Sequence, residues 1–159
     1  MGRINERHVR YRTKEQIVQD VAFVLNAPLE IGTKWAVLSE VAWVWTEFCG
    51  KYEGCERWTK KAVVQRLTDP EGDFRNFRHE HVVPKNVVIK MLLALPSPTV
   101  DQVRDICERF LIGVVVTREE NADLNAEFQQ TMPPEFDDPK SPSYRDPWLR
   151  YKRYKIEVI

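Results

Sequence analysis

The chain has 159 residues, 43% hydrophobic, 11% aromatic and 30% charged, with equal numbers of acidic and basic side chains. That length and apolar content suit one domain with a real core, while the zero net charge excludes any argument from bulk charge for a partner class. No apolar run approaches the ~18–20 residues of a membrane span, and the three cysteines form no CxxC pair. With no charged-then-apolar leader either, the reading is a non-membrane, cytoplasmic chain with free thiols.

Residues 1–12 read as a polar arm with Arg3, Arg7, Arg10 and Arg12 and no apolar repeat. Thr13 and Gln16 stand at capping-box spacing, and Ile17, Val21, Val24 and Leu25 follow at helical period. A second helix is predicted over about 34–49. Its stripe of Trp35, Leu38, Val41, Ala42, Trp45 and Phe48, with Val37, Trp43 and Val44 around it, marks the middle of a core. A third helix, about 56–67, carries Trp58, Ala62 and Val63 inward and Arg57, Lys60, Lys61 and Arg66 outward. Asp69-Pro70-Glu71-Gly72-Asp73 is a turn.

Phe74 to Pro84 alternates as a strand, with His79, His81 and Val83 on one face and Glu80 and Val82 on the other. A helix of about 85–95 follows, then one capped by Thr99 and Gln102 that ends at Gly113. Val114-Val115-Val116 reads as a buried strand. Thr117 with Glu120 opens a helix to about 130. Residues 133–147 are a Pro-rich strap. Trp148 to Tyr154 form a short aromatic and basic helix, and Ile156 to Ile159 a final strand.

The expected fold is therefore mainly α (α+β), with about six helices and a two- or three-stranded β element. One globular domain would span 1–132, and the strap and tail of 133–159 would dock on it. Basic side chains near both ends and an acidic stretch over 119–138 either pair within the fold or leave a basic face for phosphates.

Arg78-His79-Glu80-His81-Val82-Val83-Pro84 concentrates the chemistry. It holds two of the three histidines, flanking a carboxylate. Glu80-His81-Val82-Val83-Pro84 resembles the first half of the HNH, or ββα-metal, nuclease motif. In that family the acidic residue binds a divalent metal, the histidine takes a proton from the attacking water, and a following strand and helix supply an Asn or His.

By position, the resemblance implies that Glu80 is a metal ligand and His81 a general base, with Asn121 or Asn125 closing the site. The metal would be Mg²⁺ or Mn²⁺. Phosphodiester hydrolysis needs a cation to neutralise charge on phosphoryl oxygens and a base to activate water, and a histidine suits the second role. Arg75, Arg78 and Lys85 beside the motif, and Arg150, Lys152 and Arg153 in the tail, would hold phosphates.

Each residue also has a structural reading. His81 fits a hydrogen-bonded core histidine, His79 a partner for Asp73 or another carboxylate, and Glu120 a cap. Asn121 and Asn125 suit a solvated helix face. His79 with His81 could bind Zn²⁺, though no third ligand is evident. No GxGxxG, GxxxxGK[ST], HExxH or GxSxG motif occurs. The alternative function is a non-catalytic protein-interaction or regulatory module, such as a phage–host conflict or toxin–antitoxin component.

Overall fold

The structure, a computed structural model, describes residues 13–159; the polar arm expected over residues 1–12 lies outside them. α1 (Lys14–Asn26) starts where Thr13 accepts the Gln16 N–H and the Gln16 side chain accepts the Thr13 N–H. This reciprocal cap satisfies donors that have no partner inside the helix. α2 (Ile31–Thr46) lies three residues N-terminal of the expected span. No side chain caps its start, so no local signal marked where it begins. α4 (Lys85–Leu93) and α5 (Val100–Phe110), the latter opened by the Thr99–Gln102 capping box, complete a four-helix cluster. Its core includes Ile17, Val21, Leu38, Trp45, Ile89 and Phe110.

β1 (Phe77–His81) and β2 (Gly113–Thr117) pair antiparallel, from Phe77 opposite Thr117 to His81 opposite Gly113. Residues 82–112, with α4 and α5, lie between them in sequence. On the far side of β2, the Val115 N–H donates to Arg57 O at 3.0 Å and the Thr59 N–H to Val115 O at 2.9 Å. Trp58 exchanges two further backbone bonds with Ile159, at 3.2 and 2.8 Å. The helix expected from about residue 56 therefore begins only at Lys60, as α3 (Lys60–Thr68). The backbone groups of 57–59 are committed to sheet pairing, which outweighs their local helical pattern.

α6 (Arg118–Phe128) starts directly after β2 and buries Leu124 against Val82, Val114, Val116 and Tyr151. The Pro-rich strap folds onto the helical cluster, with Phe136 edge-on to Phe110 at 5.9 Å between centroids. It leads into α7 (Leu149–Arg153). Tail cations meet the acidic stretch: Arg153 reaches Glu135 at 2.9 Å and Arg145 reaches Asp137 at 2.9 Å. The described residues thus hold seven helices and a small two-stranded sheet, a mainly helical α+β fold. None of these helices is long and apolar enough to cross a membrane.

Candidate active site along the first strand

Strand alternation sends Phe77, His79 and His81 toward one face of β1 and Arg78 and Glu80 toward the other. The histidine face lies against α2. His81 is only 6% exposed, and its ring stands edge-on to Trp43, 4.3 Å between centroids. His81 Nε2 lies 3.4 Å from Ala42 O and 3.3 Å from Thr46 Oγ. A carbonyl only accepts, and the Thr46 hydroxyl donates to the same Ala42 O at 3.1 Å. These contacts fit a ring protonated at Nε2, with the lone pair on Nδ1. Burial, with the neighbouring His79 adding to it, pushes the His81 pKa down to about 3. The ring is neutral at pH 7.

His79 is buried to the same degree. Its ring packs over β2, where a Cβ on Gly113 would lie 2.5 Å from His79 Nε2. Its two nitrogens are buried without a hydrogen bond, and Nδ1 faces Glu47 Oε1 at 4.0 Å. The carboxylate opposite His79 is thus Glu47, from the end of α2. Asp73 instead accepts the Arg75 N–H at 2.8 Å. Burial lowers the His79 pKa to about 4.

Glu80 turns to the opposite face. Its Oε1 takes a bond from Arg150 Nη1 at 3.1 Å and its Oε2 one from the Tyr151 hydroxyl at 3.0 Å. Burial pushes the carboxyl pKa up, while Arg150 and Tyr151 pull it down. Arg150 was expected on a phosphate-binding surface, but it is wholly buried. It also donates to the carbonyls of His81, at 3.1 Å, and Val82, at 3.3 Å. Nothing local in the sequence separates Arg150 from its solvated neighbours; only the adjacent Tyr151 and Leu149 hint that this turn faces inward.

A pocket of about 310 Å³ brings the expected residues together. β1 contributes His79 and His81 from one face of the strand and Glu80 from the other, α6 contributes Asn121 and Asn125, α2 contributes Trp43 and α4 contributes Lys85. Lys85 Nζ lies 2.7 Å from Ser39 Oγ and 5.5 Å from the Trp43 ring centroid. The remaining expected phosphate ligands are not in this lining. Arg75 is exposed beside Asp73, and Arg78 donates to the carbonyls of Arg75 and Phe77. Lys152 pairs with Asp146 at 2.6 Å, and Arg153 with Glu135.

Among the described residues, no cluster of three or more His, Cys, Asp or Glu side chains forms a metal-binding set. The pocket offers amide oxygens and one carboxylate, whose oxygens already accept from Arg150 and Tyr151 and keep only their second lone pairs for a hard cation that retains water and shares a substrate phosphate. Three free cysteines, Cys49, Cys55 and Cys107, lie outside it. No family model, curated protein or solved structure matches the chain.

Proposed function

We propose that the protein is a metal-dependent nucleic-acid hydrolase of HNH-like type, with His81 activating water for phosphodiester cleavage. The observation that carries this reading is the shared pocket. Glu80, His81, Asn121 and Asn125 are separated by two helices in sequence and line one cavity. The order of elements supports it as well: β1 pairs antiparallel with β2, and α6 follows β2 without a break.

Glu80 and the amide oxygen of Asn121 or Asn125 would hold Mg²⁺ or Mn²⁺. That ion would supply charge neutralisation at a phosphoryl oxygen. His81 holds Nε2–H on Ala42 O, which fixes the ring and leaves Nδ1 as the accepting nitrogen. Its low pKa keeps that nitrogen unprotonated at neutral pH but makes it a weak base. A phosphate entering the pocket would raise its basicity by placing negative charge beside the ring. Lys85 stands in the pocket wall as the cation for a phosphate. Arg150 and Tyr151 hold the Glu80 carboxylate in place.

The test is cleavage of plasmid DNA, single-stranded DNA and RNA by protein stripped with EDTA and resupplied with Mg²⁺, Mn²⁺ or Zn²⁺. Cleavage with Mg²⁺ or Mn²⁺ that EDTA abolishes is expected. Intact substrates under every metal reject the reading.

A second reading, a non-catalytic interaction module, has its own observation. Phe23, Leu29 and Ile31 cluster in sequence around the α1–α2 turn, with Phe23 74% and Ile31 69% exposed. Where such side chains form one contiguous patch, they mark a binding surface. For this reading, Phe23→Asp and Ile31→Asp would abolish association with a partner and leave the fold intact.

A further inference from the structure

We infer that the pocket along β1 takes one unpaired nucleotide, so that the substrate is a single strand and not a duplex. The inference rests on the hydrolase reading for the chemistry, but its evidence is the composition of the pocket wall. The cavity, about 310 Å³, lies at the lower end of the size that holds a drug-sized ligand. It accommodates a nucleotide, not a base pair.

Carboxamides are the commonest side chains in its lining: Asn86, Asn121, Asn125, Gln129 and Gln130. Each presents a carbonyl acceptor beside an NH₂ donor, the same alternation that base edges carry. A wall built only to grip phosphate would carry cations, and here Lys85 is the one Lys or Arg in it. Asn86 donates to Gln130 at 3.2 Å. Among the described residues, no side-chain hydrogen bond ties down Asn121 or Asn125, which leaves both amides for a ligand.

Trp43 supplies an aromatic side chain at the same wall. Stacking of a base on such a ring is favourable and tolerant of sequence. A base inside a duplex hides both its pairing edge and its faces, so amides and indole reach only a base outside the stack. Lys85 Nζ, which lies over the indole at 5.5 Å from its centroid, then shifts off the ring to meet the attached phosphate.

The experiment is fluorescence anisotropy in EDTA, with a short labelled single strand, as DNA and as RNA, and a blunt duplex of the same sequence. Unlabelled mononucleotide serves as competitor, and cleavage with Mg²⁺ is measured in parallel. The single strand is expected to bind at least about tenfold tighter than the duplex, a difference of about 1.4 kcal/mol. Asn125→Leu and Gln129→Leu, the second at an exposed position that cannot disturb packing, are each expected to weaken it about five- to tenfold.

Equal binding of strand and duplex, or variants with unchanged affinity and native circular dichroism, overturns the inference. So does displacement by mononucleotide at an affinity equal to that of the strand, which assigns the pocket to a free nucleotide. Duplex cleavage without single-strand preference removes this inference and leaves the hydrolase reading standing. Selective single-strand binding without cleavage under any metal does the reverse.

Discussion

Arg150 Nη1 lies 3.1 Å from Glu80 Oε1, joining the C-terminal tail to the first strand across 70 residues of sequence. Both groups are withdrawn from water: the Arg150 side chain is 0% and that of Glu80 11% exposed. Removing one partner leaves the other charge buried and uncompensated, which costs about 3–5 kcal/mol. Arg150→Met is therefore expected to destabilise the fold by that amount in urea unfolding. The double variant Arg150→Met, Glu80→Gln should recover part of the loss, because no lone charge is left. With Glu80→Gln measured alone as well, a double-variant loss equal to the sum of the two single losses would show that the pair is not coupled.

The buried histidines make stability depend on acidity. Their folded-state pKa values, about 4 for His79 and about 3 for His81, lie below the ordinary value of 6.5. The unfolded chain therefore takes up these protons first, and stability falls as pH drops through 6.5. Each ring contributes a slope of about 1.4 kcal/mol per pH unit, so each removes about 3 kcal/mol by about pH 4. Denaturant midpoints measured from neutral pH downward check this. His79→Leu should shed its share of the slope, and an unchanged slope would place the acid sensitivity elsewhere.

Glu120 joins two helix starts. Its Oε2 accepts the Thr59 hydroxyl at 2.6 Å and the Thr117 N–H at 3.0 Å, while Thr59 and Thr117 cap α3 and α6. Glu120→Ala leaves these buried donors unpaired and should cost about 3 kcal/mol. Glu120→Gln keeps an acceptor oxygen and should cost about half as much. Thermal unfolding of both variants decides it; a Glu120→Ala loss below about 0.5 kcal/mol would be that of an ordinary surface change.

Features with a local cause were legible in the sequence. Thr13 with Gln16, Thr99 with Gln102 and Thr117 with Glu120 each cap the helix that follows them, because the residues that make a capping box are three apart. The run Val114 to Val116 and the alternation around His79 and His81 likewise located both strands, but β1 is shorter than the alternation: Phe74–Asn76 is a 3-10 turn and Val82 and Val83 lie beyond its end. Long-range partners were not legible. Residues 57–59 carried a helical pattern, and only β2 and Ile159 hold them extended. Arg150 is one of four basic residues within Arg150–Lys155, and it is inside because Glu80 and the His81 and Val82 carbonyls meet it there. The same limit applied to the pocket. Spacing placed Asn121 and Asn125 on one helix face, but neither Trp43 nor the Gln129 and Gln130 amides were expected beside them.

The most direct measurement is the Mg²⁺-dependent cleavage rate of a labelled single strand, wild type against His81→Ala and His81→Gln, with circular dichroism confirming both folds. Loss of a general base costs about 10²–10⁴-fold in rate, and a fall of that size in both variants is predicted. Cleavage that survives both substitutions unchanged would contradict the assignment of His81 and the hydrolytic site built around it.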